Sequence, residues 1–237
     1  MNLDGRLARY IARDSEFNSL RVAVNIVRRV VVEEERVLDW AATLRKEGQR
    51  SAILRSDELA RRYGIVESAV GNALRRQELR GLVEHVSNKI YINKLAPDFS
   101  PRELVSVLRP RAYISLESAL AEWGLSTQSP SSLTCVTTGY PRKFRTPNVR
   151  IAYRHIGENL YWGFQDKRTR LGSYRIAEPE KALLDWIYLQ RQDGLQVALD
   201  DLNLKVVDRA KVLKYAAKYP IPVQQTAHLA PGRSEPS

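Results

Sequence analysis

The feature that most constrains the fold is the stretch from Ser56 to Asn93, where the hydrophobic period changes from helical to alternating. Ser56-Asp57-Glu58-Leu59 reads as a helix start, with Ser56 as N-cap and acids in the first turn, where the helix dipole favours them. The helix continues through Ala60-Arg61-Arg62-Tyr63 and stops at Gly64. The spacing predicts a second helix from Glu67 to Arg80, closed by Gly81. Leu82–Val86 and Ile90–Ile92 then read as two short strands joined through Ser87-Asn88-Lys89. Helix, glycine turn, helix and β-hairpin is the order of a winged helix-turn-helix, here assigned to residues 50–94.

The second of these helices divides cleanly by periodicity. Ala69, Val70, Ala73, Leu74 and Gln77 fall on one side, and Ser68, Gly71, Asn72, Arg75 and Arg76 on the other. A recognition helix needs this division: an apolar stripe to dock on its own domain and a polar face to enter the major groove. Asn can pair bidentately with adenine and Arg with guanine, so Asn72 and Arg75 are the expected base readers. Gly71 would let the backbone approach DNA closely. Arg61, Arg62 and Arg80 suit phosphates, which position a protein without specifying sequence, and Asn88 and Lys89 form the tip of the wing. The competing reading is a winged helix used for protein contacts.

Charge favours the first reading. The chain carries 38 Lys and Arg against 27 Asp and Glu, a net charge of +11, which suits polyanionic partners. The surplus comes in two clusters. Residues 45–94 hold 11 basic against 6 acidic residues, and residues 140–175 hold 9 against 2. From the second cluster, Arg142, Lys143, Arg145, Arg150, Arg154, Lys167, Arg168 and Arg170 are assigned to a second basic surface, which could bind nucleic acid or simply be solvated. Residues that are 43% apolar and 27% charged describe an ordinary globular chain. Its most apolar run, Val22 to Val32, is broken by Asn25, Arg28 and Arg29, so no membrane partner is expected. The N-terminus lacks the pattern of a secretory signal, and Cys135 is the single cysteine, so a reducing cytoplasmic location is expected.

Around the helix-turn-helix, apolar positions Leu20, Val24, Val27, Val31, Leu38, Ala41 and Leu44 predict a long helix over residues 18–47, stopped by Gly48. Pro97, Pro101 and Pro110 mark residues 95–111 as a connector that could include a short helix from Pro101 to Leu108. Residues 112–220 read as a mixed α+β domain. A helix is predicted over Ser115–Trp123, strands over Leu133–Thr138, Val149–His155 and Leu160–Phe164, and helices over Pro179–Gln190, Leu195–Asp201 and Asp208–Tyr219. From Ile221 the chain is expected to be a flexible tail. The fold class is therefore α+β, a helical N-terminal domain with a winged helix-turn-helix followed by a mixed α+β domain.

Candidates for catalysis are thin. Ser115, His155 and Asp185 could in principle form a triad, yet no nucleophile-elbow or oxyanion glycine pattern surrounds them. Cys135 lies in a β-branched run that suits a buried, inert thiol. His85, His155 and His228 lack ligand spacing for a metal, and no glycine-rich phosphate loop is present. Glu178 and Glu180 at a helix start are explained by the dipole alone. No enzymatic activity, cofactor or metal is expected.

Four ordered segments carry a resemblance. Tyr113-Ile114-Ser115-Leu116-Glu117-Ser118-Ala119-Leu120, Cys135-Val136-Thr137-Thr138-Gly139, Tyr153-Arg154-His155-Ile156 and Ala177-Glu178-Pro179-Glu180-Lys181-Ala182-Leu183-Leu184-Asp185 follow Gly81-Leu82-Val83-Glu84 and Tyr91. In this order they resemble the AbiEi family of antitoxins of type IV toxin–antitoxin systems, over about residues 50–190. The chain departs from the family in the residues that precede the helix-turn-helix and in Cys135, where the family usually has Ser. The resemblance implies a winged helix that binds inverted repeats of double-stranded operator DNA, as a monomer or a DNA-induced dimer, and represses its own operon. It also implies a C-terminal domain that counteracts a nucleotidyltransferase-like toxin without requiring a stable complex. The alternative is a plain transcriptional regulator with a ligand-sensing or assembly domain; a third reading is an RNA-modifying or nuclease enzyme anchored by its winged helix.

Overall fold

The computed structural model describes residues 38–230, which form two compact units divided between Pro97 and Asp98. The architecture is mixed α+β, with eight α-helices and two sheets among the described residues. Of the helix expected over residues 18–47, residues 18–37 lie outside the described residues.

The first unit runs α1 (Trp40–Gly48), β1 (Ile53–Arg55), α2 (Ser56–Tyr63), α3 (Glu67–Leu79), β2 (Val83–Ser87) and β3 (Ile90–Asn93). Asp39 caps α1, its carboxylate accepting from the amides of Ala41 and Ala42 at 2.9 and 3.1 Å. Gly48 is still helical, and Gln49 forms the C-cap in its place. The apolar stripe expected on α3 converges with α1, α2 and the sheet on one core, built from Trp40, Leu44, Leu54, Leu59, Val70, Ala73, Leu74, Val83 and Tyr91. Between α2 and α3 the chain turns at Gly64, whose φ of +67° lies in the left-handed region that costs other residues about 1–2 kcal/mol.

Two details correct the sequence reading. The hairpin gains a third strand, β1, in an antiparallel sheet of order β1-β3-β2. Ser56 is not an N-cap. It is the first residue of α2 and is buried, because β1 runs straight into the helix; its amide instead donates to the carbonyl of Lys89 in the hairpin turn at 2.9 Å.

The second unit runs α4 (Glu103–Leu108), β4 (Ala112–Ile114), α5 (Leu116–Glu122), β5 (Leu133–Thr137), β6 (Arg142–Arg145), β7 (Arg150–His155), β8 (Phe164–Arg168), β9 (Ser173–Ala177), α6 (Pro179–Gln192), α7 (Arg209–Ala216) and α8 (Ile221–His228). Its six-stranded sheet has the order β6-β7-β5-β4-β9-β8, with β5/β7 and β4/β9 parallel and the other pairs antiparallel. Fully buried Tyr113, Ile114, Leu120, Val136, Ile151, Ile176 and Leu183 form its core.

Here the expected boundaries shift. Most of the supposed connector is part of the unit: Leu104 and Val105 of α4 are fully buried, and the Val105 carbonyl accepts from Tyr153 Oη at 3.1 Å. Leu160–Phe164 is not a strand; Glu158–Leu160 form a 3₁₀ turn, and β8 begins only at Phe164. Likewise a single 3₁₀ turn, Leu199–Asp201, forms within the helix expected over Leu195–Asp201, and a second, Leu204–Val206, follows it. The tail expected from Ile221 is α8 up to His228. Its prolines sit at Pro220 and Pro222, where a helix start tolerates them, and Val223, Thr226 and Ala227 are buried.

Candidate nucleic-acid interface

The buried side of α3 comprises Ala69, Val70, Ala73, Leu74 and Gln77, the division read from periodicity. This leaves Ser68, Asn72, Arg75 and Arg76 exposed. Ser68, Gly71, Asn72 and Arg75 line an open groove of about 450 Å³ together with Asn88 and Lys89 of the hairpin turn. Six of the expected contact residues are thereby brought together. Ser56, Glu67 and Tyr91 also line the groove, and none of the three is among the contact residues expected from the sequence. A Cβ built on Gly71 would meet no atom within 4 Å, so nothing in the described fold requires glycine there.

The hairpin turn is held on both sides. Asn88 takes a left-handed φ of +42°, and its carbonyl lies 3.0 Å from His85 Nε2. Lys89 presents its carbonyl to Ser56 and folds its ammonium back onto Glu67, with Nζ 2.6 Å from Oε1 and 2.8 Å from Oε2. Lys89 therefore does not project outward as a wing-tip cation, because a carboxylate in the first turn of α3 has captured it.

The remaining expected phosphate contacts lie outside this groove. Arg61 is 70% exposed and sits 3.8 Å from Asp57. The Arg55 guanidinium hydrogen-bonded to Asp57 holds that carboxyl below its ordinary range. Arg62 is engaged by buried Glu47, which also accepts from Tyr63 Oη at 2.7 Å, so Arg62 ties α2 to α1. Burial, followed by the bond to Glu47, pushes the Tyr63 phenol up to about 12. Arg80 is exposed as the C-cap of α3.

The second basic cluster is not one surface. Arg142, Lys143 and Arg145 lie on β6 with Arg150 and Arg154 on neighbouring β7, whereas Lys167 and Arg168 lie on β8 at the opposite sheet edge, with Arg170 following. Four strands separate β6 from β8, so adjacency in sequence does not become adjacency in space. Two of these charges are also paired with carboxylates. Arg154 donates to both oxygens of Asp193 at 2.8 and 2.9 Å, and Lys167 pairs with Glu122 at 3.1 Å above the Trp123 ring.

Four buried titratable residues of the second unit, Tyr113, Lys181, Asp185 and Tyr219, form a hydrogen-bonded network with Ser115. Asp185 and Lys181, one turn apart on α6, are both fully buried and paired. One Asp185 oxygen accepts from Tyr113 and Ser115 at 3.0 and 2.8 Å; the other accepts from Lys181 and from Tyr219, the latter at 2.7 Å. Lys181 lies within 5.0–5.6 Å of the ring centres of Tyr113, Trp162 and Tyr219. Burial pushes the phenols of Tyr113 and Tyr219 upward and the Lys181 ammonium downward, the latter opposed by Asp185. His155 takes no part in this network; its ring lies 3.0 Å from the Gly139 carbonyl at an exposed position. The Ser115-His155-Asp185 arrangement considered from the sequence is thus not brought together. Cys135 is buried, and burial raises its thiol well above the ordinary value.

No helix of the described residues is long and apolar enough to cross a membrane, and no group of three or more metal-ligating side chains occurs among them. No protein-family model and no curated protein matches the chain.

Proposed function

We propose that the chain is a cytoplasmic DNA-binding antitoxin of the AbiEi kind. Its first unit is a winged helix-turn-helix that binds inverted repeats in its own operator, and its second unit counteracts a nucleotidyltransferase-like toxin. The observation that carries the DNA-binding half is the groove formed by α3 and the hairpin turn, into which Asn72 and Arg75 project beside a glycine the fold does not need. Asparagine and arginine at adjacent turns of an exposed helix face match the bidentate demands of adenine and guanine edges. The surplus of basic residues over 45–94 supplies the electrostatic attraction. The antitoxin half rests on the ordered sequence segments of the second unit, two of which, around Ser115 and Lys181–Asp185, meet in its buried network.

The test is a footprint and a salt titration of gel shifts on the DNA upstream of the chain's own gene. Protection of an inverted repeat that weakens as salt rises is the expected result. Absence of protection at any salt concentration would remove the operator-binding role.

A further inference from the structure

The groove holds one feature that phosphate binding does not explain: a carboxylate. Glu67 stands in the first turn of α3, on the face shared by Ser68, Gly71, Asn72 and Arg75. Close to a DNA backbone, a free carboxylate is repelled. Near base edges in the major groove it has a use, since cytosine N4 offers a donor that Glu and Asp accept. We infer that Glu67 is a specificity-determining residue that accepts from the exocyclic amine of a cytosine, and that Lys89 is its positioning residue. The inference rests on the operator-binding reading above.

The geometry supports this division of labour. Lys89 is fixed through its backbone, because the Ser56 amide donates to its carbonyl at 2.9 Å, where β1 enters α2. Its ammonium reaches Glu67 from that anchored position, at 2.6 and 2.8 Å from the two carboxylate oxygens. The Glu67 side chain remains 43% exposed, so an oxygen can take a second donor while Lys89 stays in place. The pair also cancels charge. While Lys89 is occupied it adds little attraction for phosphates of arbitrary sequence, and while Glu67 is neutralised it repels the duplex less. Both effects favour specific over nonspecific binding.

Site selection from randomised duplexes, with salt titrations on the selected and on scrambled DNA, tests the inference in the full chain. The wild type is compared with Glu67→Gln, Lys89→Gln and the swap Glu67→Lys with Lys89→Glu. Glu67→Gln is expected to lower the preference for cytosine at one position by about tenfold or more. It frees Lys89 for a phosphate, so nonspecific binding tightens and its salt dependence steepens by about one ion. Lys89→Gln keeps the carboxylate but broadens the preference at that same position. The swap restores the tether with the charges exchanged; it is expected to fold normally yet lose the cytosine preference, because α3 then presents a cation. Unchanged selection by Glu67→Gln, or by the swap, would make the pair a tether only and overturn the inference. A wild type that selects no site at all defeats the operator-binding reading itself, and the inference with it.

Discussion

At the scale of single residues, Gly71 is where the demands of folding can be parted from those of the proposed DNA binding. Glycine within a helix costs about 1 kcal/mol relative to alanine. Its neighbourhood in the fold leaves room for a methyl group, since a Cβ there meets nothing within 4 Å. Gly71→Ala is therefore expected to raise the stability of the first unit by up to about 1 kcal/mol in denaturant melts, and at the same time to weaken operator binding in gel shifts. Stabilisation with unchanged binding would show that the helix backbone does not approach DNA at this point. Arg75 belongs to the same scale. It is exposed and lines the groove beside Tyr91, so Arg75→Ala is expected to weaken specific binding by about 1–3 kcal/mol and relax preference at one position. An equal loss on all sequences would instead assign Arg75 to a phosphate.

At the scale of elements, the Lys181–Asp185 pair joins α6, β4 and the chain following α7 through side chains that are entirely buried. Removing one member of such a pair leaves an uncompensated charge, which costs about 3–5 kcal/mol. Asp185→Asn is expected to destabilise the second unit by about that amount in denaturant titrations, and adding Lys181→Met to recover part of it, because the stranded ammonium is then gone. If the double variant is no more stable than the single one, the loss comes from the Tyr113, Ser115 and Tyr219 hydroxyls instead. The sequence made the elements legible where one face was apolar and a glycine marked the end, as in α2, α3 and the hairpin. It hid β6, whose Arg142-Lys143-Phe144-Arg145 carries three exposed side chains at a sheet edge and so has no hydrophobic alternation. β1 and β4 span only three residues each, too short for a period to emerge. The α8 helix was obscured by Pro220 and Pro222, which local composition reads as a break although a helix start accepts them. At the candidate site, helical spacing gave the α3 face, but Glu67 and Ser56 could be found only from tertiary pairing, because their partner, Lys89, lies on the hairpin.

At the scale of the whole molecule, the division between Pro97 and Asp98 sets where the two proposed activities can be parted. The hairpin ends at Asn93, but a fragment cut there would lose bonds that close the first unit. The Lys94 amide donates to the Leu82 carbonyl at 3.0 Å, and the Leu95 amide donates at 3.1 Å to the Asn93 side chain, which itself donates to the Leu44 carbonyl at 2.7 Å; the first two bonds would go with the cut. Asn93 is almost completely buried, so its amide needs these partners. The cut that respects the fold follows Pro97. A fragment of residues 1–97 is expected to unfold cooperatively and to shift operator DNA, though to give no protection against the toxin. A fragment of residues 98–237, retaining α4 under β7 and α8 on α6, is expected to fold without binding the operator and to carry whatever counteracts the toxin. Gel shifts on both fragments and survival of toxin-expressing cells measure the two activities separately. Rescue by the first fragment alone would place the antitoxin activity in the first unit, and the proposed division between the units would have to be abandoned.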